Sequence, residues 1–195
     1  MRIGLTLVAV AALAALAACG SSSATPPPRP TPSVPTMVDE PINLTGRAAT
    51  PCTMLRPDQL AQFHIVAPGT PSAAPLSPAK GTPACAWQPM RSTEPVYAAA
   101  VDTHSGGLDA LYRHRAALPV FQPFAESGYP GVNTPASKNA LTHGQCTIQI
   151  EVANGVLLDA AATVRDPQAA DYTDPCQDAQ SFAAAIIANS QGQQP

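Results

Sequence analysis

The sequence predicts an α+β domain held by disulfides, and three observations carry that prediction. Cys146, Ile148, Ile150 and Val152 alternate with Thr147, Gln149 and Glu151, and after Asn154-Gly155 the residues Val156, Leu158, Ala160, Ala162 and Val164 continue on one face, the pattern of a half-buried antiparallel hairpin. Ala179, Phe182, Ala183, Ile186 and Ile187 recur at helical spacing, which marks an amphipathic helix. Cys52, Cys85, Cys146 and Cys176 are even in number and show no Cys-x-x-Cys spacing, which favours two structural disulfides over zinc or a redox dithiol. An antiparallel sheet packed by N-terminal, central and C-terminal helices is the architecture these elements imply.

The chain of 195 residues opens with Met1-Arg2 and an uncharged run of Ala, Leu and Val over 3–18. A bilayer core takes ~20 apolar residues to span. The shorter run here fits a secretory signal peptide. Where a cleavage site is expected stands Leu16-Ala17-Ala18-Cys19, which resembles the bacterial lipobox. On that reading residues 1–18 are removed and the Cys19 thiol carries a lipid. Each buried methylene contributes ~0.8 kcal/mol and one chain anchors marginally, so two palmitate-like chains hold a protein durably. The expected location is the extracytoplasmic face of the cell membrane, in the cell envelope.

Residues 19–50 read as the lipidated cysteine and a tether. Seven prolines with many Ser and Thr bury too little to offset the entropy of ordering. Thr25, Thr31 and Thr36 are candidate O-glycosylation positions, with a plain spacer as the simpler reading. Residues 51–190 remain as a single domain and 191–195 as a polar tail. Charged residues make up 12% of the chain and the net charge is −3, with no basic block, which argues against nucleic acid or anionic headgroups as partners.

Within the domain, Pro57 suits the first position of a helix, Asp58 favours its positive end, and Leu55 can staple to Leu60. That helix is expected to end near Phe63-His64. Residues 67–83 hold five prolines and read as a surface loop. Cys85-Ala86-Trp87-Gln88 begins the sheet with Cys85 and Trp87 on one face, and residues 95–103 form the next strand. Leu108, Leu111, Tyr112, Arg115 and Leu118 follow a helical spacing. Residues 119–135 read as irregular, with Tyr129-Pro130-Gly131 as a turn.

In the hairpin, a two-residue Asn-Gly turn would pair 153 with 156 and set Ile150 against Asp159 on the core face. A three-residue loop, Ala153-Asn154-Gly155, pairs 152 with 156, 150 with 158 and 148 with 160, so every apolar side chain shares a face. The expectation is therefore the three-residue loop with Gly155 left-handed. Asp174-Pro175-Cys176-Gln177 reads as a capping box opening the last helix. The expected disulfides are Cys85–Cys146 between strands and Cys52–Cys176 between helix starts. Pairing in chain order, Cys52–Cys85 with Cys146–Cys176, is the alternative.

Lipobox, tether, Pro51-Cys52-Thr53-Met54-Leu55, Cys85-Ala86-Trp87, Cys146-Thr147-Ile148 and Asp174-Pro175-Cys176-Gln177-Asp178-Ala179 together resemble a family of lipoproteins of mycobacteria and related actinobacteria with a domain of unknown function. Arg56 stands where that family usually has Thr or Ser before the helix proline. The resemblance implies surface exposure and disulfides and brings no activity, ligand or catalytic residue.

Ser77-Pro78-Ala79-Lys80 matches the Ser-x-x-Lys of penicillin-binding enzymes, yet neither Ser-Asp-Asn nor Lys-Thr-Gly accompanies it. No Gly-x-Ser-x-Gly, His-Glu-x-x-His or phosphate-binding glycine loop occurs. His64, His104, His114 and His143 are scattered, and a metal site joining them to Asp102 or Asp109 is a remote reading. Arg113-His114-Arg115 reads as a solvated helix face. Met54, Trp87, Phe121, Phe124 and Tyr129 read as packing rather than a pocket. The expectation is a non-catalytic envelope lipoprotein, with no cofactor or metal, that binds a protein or glycan; the alternative is a carrier or sensor of a small apolar ligand. An envelope enzyme is the third and weakest reading.

Overall fold

The computed structural model describes residues 38–65, 68–72 and 81–192. Seven antiparallel strands form one sheet: β1 (Thr70–Ser72), β2 (Ala84–Trp87), β3 (Val96–Asp102), β4 (Gln122–Glu126), β5 (Tyr129–Asn133), β6 (Gln145–Ala153) and β7 (Val156–Thr163). Their order across the sheet is β1-β2-β3-β7-β6-β5-β4. Three α-helices, α1 (Pro57–Gln62), α2 (Gly107–His114) and α3 (Pro175–Gln191), complete the α+β fold expected from the sequence.

Strand alternation sorts the side chains onto two faces. The first face carries Cys85, Trp87, Tyr97, Ala99, Val101, and the even-numbered apolar residues of β6 and β7, all buried except half-buried Val156 beside the turn. Helix α3 lies on it through the five residues whose spacing announced the helix, each fully buried. Phe182 stacks on Tyr97 with ring centroids 4.5 Å apart and meets Trp87 and Phe63 edge-on at 5.3 and 5.2 Å. The second face is covered near one end by α2, whose Leu108, Leu111 and Tyr112 pack on Val132 and Leu157.

The hairpin register is as predicted, with Ile150 opposite Leu158 and Ile148 opposite Ala160, but the loop is not. Ala153 pairs with Val156 across a two-residue turn, and the extra residue is absorbed as a bulge between Glu151 and Ala153. Val152 therefore does not face Val156. A bulge shifts the register by one residue within the strand, which reconciles a short turn with an apolar face. Gly155 does adopt the left-handed conformation, at φ 70°.

The disulfides also differ from the expected pairing. Cys52 bonds Cys85 and Cys146 bonds Cys176, each pair with Cα atoms 5.0 Å apart, rather than Cys85–Cys146 and Cys52–Cys176. The reason is strand order. Two strands, β3 and β7, stand between β2 and β6. Three interstrand steps of ~4.8 Å put Cys85 and Cys146 well beyond the ~7 Å limit for a disulfide. The observed bonds staple the 3₁₀ turn Pro51–Thr53 to β2 and the start of α3 to β6. Each closes a loop of about thirty residues, worth about 3–4 kcal/mol in the chain-entropy picture.

Three boundaries move. Ile42 and Leu44 are buried and the Ile42 N–H donates to the Val152 carbonyl at 2.8 Å, so the fold begins before residue 51 and the tether ends earlier than 50. The segment 119–135 is not irregular but forms the β4–β5 hairpin, turned by Ser127 and Gly128 at φ 53° and 86°; Tyr129-Pro130-Gly131 lies in a strand. The last helix runs to Gln191, one residue into the stretch expected as a tail, and near its end buried Asn189 donates to the Met54 carbonyl at 2.7 Å and accepts from Arg56 at 2.9 Å. At its other end Asp174 makes no side-chain cap, so the expected capping box is absent. Helix α1 spans the stretch expected of it, and the Arg56 N–H donates to Gln59 Oε1 at 3.0 Å. The predicted loop 67–83 contributes β1, an edge strand on β2.

Candidate functional site

The residues singled out for chemistry are scattered, and the structure describes only part of them. Cys19, Thr25, Thr31, Thr36, Ser77 and Lys80 lie outside the described residues. His64 Nδ1 lies 2.8 Å from Glu94 Oε1, His143 Nδ1 bonds the Asn139 carbonyl, and His104 Nδ1 bonds the Thr103 hydroxyl. His114 is exposed on α2, where Arg113 pairs with Asp109. Among the described residues no group of three His, Cys, Asp or Glu could hold a metal ion. Met54 and Trp87 are core; Phe121 packs edge-on against Tyr112, 4.8 Å between centroids. The Tyr129 hydroxyl donates to the Glu40 carbonyl at 2.7 Å.

A cleft of about 380 Å³ opens on the first face, where the sheet runs out beyond the flank of α3. It is roomier than the clefts of about 260 Å³ beside Tyr129 and 240 Å³ beside His104. Three elements supply its amides. Gln122 of β4 and Asn133 of β5 are register partners, and Gln177 and Gln180 lie one turn apart on α3. Gln180 Nε2 donates to Asn133 Oδ1 at 3.3 Å, and Asn133 Nδ2 donates to Gln122 Oε1 at 3.4 Å. Both bonds are longer than the ~2.9–3.0 Å typical of N–H···O. Leu141 and Pro175 form an apolar side, and Asp174 contributes a carboxylate. Gly131, the register partner of Phe124, leaves room for that ring: a Cβ there would sit 2.6 Å from it.

Charge near the opposite rim of α3 is unusual. Asp178 is half-buried beside Tyr97, with Oδ2 lacking a hydrogen-bond partner. Burial, then the negative charges of Asp171 and Asp174, push its pKa up to about 7. The same burial, with Asp178, Asp171 and Glu94 nearby, raises the Tyr97 phenol well above its ordinary value. At the exposed end of α1 the Arg56–Asp58 ion pair, 3.0 Å, raises the arginine pKa and lowers that of the aspartate.

On the second face Asp102, Gln149, Glu151 and Asp159 are buried amid Ala84, Ala100 and Ala161. Asp102 Oδ1 accepts from the His104 and Ser105 N–H groups, and Glu151 Oε1 from the Gly155 N–H at 2.8 Å. The Thr134 hydroxyl donates to Gln149 Oε1 at 2.9 Å. Asp102, Gln149 and Glu151 thus tie flanking segments to the sheet.

Sheet, helices and staples define a class: a two-disulfide α+β domain, of a kind suited to an oxidising, extracytoplasmic environment. Residues 14–189 match the family model described as Protein of unknown function (DUF3558), and the chain belongs to that family. No curated protein and no solved structure matches it. Among the described residues no helix is long and apolar enough to cross a membrane.

Proposed function

We propose that the protein is a lipid-anchored lipoprotein of the cell envelope whose domain binds a protein or glycan and performs no catalysis. The observation that carries the anchor is cysteine pairing. The two disulfides take up Cys52, Cys85, Cys146 and Cys176, and the fifth cysteine, Cys19, follows Leu16-Ala17-Ala18 behind an apolar leader. A binding role is supported by an open, polar cleft with unspent amide groups at its rim. The sheet–helix interface counts against a carrier, since Phe182, Tyr97, Trp87 and Phe63 fill it with rings in contact.

Metabolic labelling with an alkyne palmitate in a bacterial host tests the anchor. The wild-type chain takes up label and partitions with membranes. Cys19→Ala takes up none and appears in the soluble fraction or as unprocessed precursor. A Cys19→Ala chain that still incorporates label overturns the reading.

A further inference from the structure

We infer that the cleft between β4, β5 and the first turns of α3 is a binding site for a neutral oligosaccharide. The inference rests on the envelope-binding reading above and names the ligand class that this cleft takes.

The lining selects the chemistry. Among its residues there is no Lys or Arg, so a phosphate or carboxylate ligand meets no counter-charge. Asp174 is the sole carboxylate in that lining, so a hard divalent cation would find only one negative charge to balance its own. Gln122, Asn133, Gln177 and Gln180 give mixed donors and acceptors, which an apolar ligand would leave unpaired. Each amide offers two N–H donors and a carbonyl with two lone pairs, and each sugar hydroxyl offers one donor and two acceptor sites. Neighbouring hydroxyls on a ring therefore match these side chains without any net charge.

The amides are already aligned head to tail. The chain from Gln180 through Asn133 to Gln122 leaves the Gln122 Nε2 and Gln180 Oε1 ends, and the Gln177 amide, without a bond among the described residues. Its two links are long, so hydroxyls that replace them displace weak bonds. Half-exposed Leu141 offers the C–H face of a sugar ring an apolar contact, and Asp174 can accept from a hydroxyl with the extra strength of an ionised acceptor. A volume of about 380 Å³ falls within the 300–1,000 Å³ of small-ligand clefts, at the small end.

The test uses the full chain in detergent and four trisaccharide probes: chitotriose, mannotriose, arabinotriose and galactotriose, followed by saturation-transfer NMR and calorimetry. At least one binds in the millimolar range or tighter, and Asn133→Leu and Gln180→Leu each weaken it about tenfold or more. Gln177→Ala, at an exposed position, weakens it by a smaller factor and guards against misfolding of the half-buried variants. Binding of none of the four, or binding that all three variants leave unchanged, overturns the inference. So does a cleft whose variants abolish capture of an envelope protein while sugar binding is undetectable. Running Cys19→Ala in parallel separates the two readings. Loss of label on Cys19→Ala with sugar binding intact leaves both readings standing, loss of label with no sugar binding removes this site alone, and retained label with sugar binding intact removes the anchor alone.

Discussion

The two faces of the sheet are built from different materials. The first carries Trp87, Tyr97, Ile148, Ile150 and Leu158 beneath a seventeen-residue helix, with rings interlocked around Phe182. The second carries alanines and four buried polar side chains, with an eight-residue helix over one end. Both belong to the same strands, so one residue's step along a strand changes a stability element into a polar one. Stability is thus concentrated on one side. On the other side Asp102 and Glu151 hold turns, and the candidate cleft lies where the first face passes out from under its helix.

The sharpest way to break this comparison is to empty the first face. Phe182→Ala removes the ring that Tyr97, Trp87 and Phe63 all touch and is expected to lower unfolding free energy by about 3–5 kcal/mol. Leu111→Ala in the second-face cluster is expected to cost about 2 kcal/mol, the low end for such a truncation, because partly exposed Leu118 and Phe121 border it. Denaturant titration of both variants checks the order. Equal losses would mean that the second face bears as much of the core.

Asp178 is the first face's misfit, and pH exposes it. Its folded pKa of about 7 lies above the ordinary 3.8. Between those values the folded chain keeps a proton that the unfolded chain has released, so stability falls as pH rises through that window and levels off above it. Asp178→Asn removes the slope. At pH 8 the variant should be the more stable by about 1 kcal/mol, a figure reduced for the group's partial exposure. Urea midpoints at pH 5 and pH 8 check this. A wild-type midpoint that rises across the window would contradict the burial argument.

What the sequence disclosed follows the strength of its periodicities. The β6–β7 register and the buried stripe of α3 were legible because large apolar residues repeat there at two and at 3.6. The β4–β5 hairpin was not, since Pro123 and Pro130 interrupt a run with few apolar residues. The structure accommodates them by placing Pro123 on the edge strand and Pro130 ahead of the stretch that pairs with β6. Disulfide pairing depends on strand order, which no local pattern encodes. The cleft is hidden for a related reason. Gln122 and Asn133 are eleven residues apart and Gln180 forty-seven further on, so only the folded register and the seating of α3 make them neighbours.

The finest test of the comparison concerns Gln149, at the centre of the second face. Its Oε1 accepts from Thr134, but its buried Nε2 has no hydrogen-bond partner. A buried donor left unmatched costs about 1–3 kcal/mol, whereas the single bond to Thr134 contributes about 1 kcal/mol. Gln149→Met keeps the length of the side chain, deletes the unmatched donor and adds apolar surface beside Val132, its register partner. The bond to Thr134 is lost, yet that hydroxyl is half-exposed and can turn to water. The two effects nearly offset, so stability should stay level or rise by up to about 1 kcal/mol, read as a shift in denaturant midpoint at constant slope. A fall of about 2 kcal/mol would show that the second face, too, relies on its polar groups for cohesion.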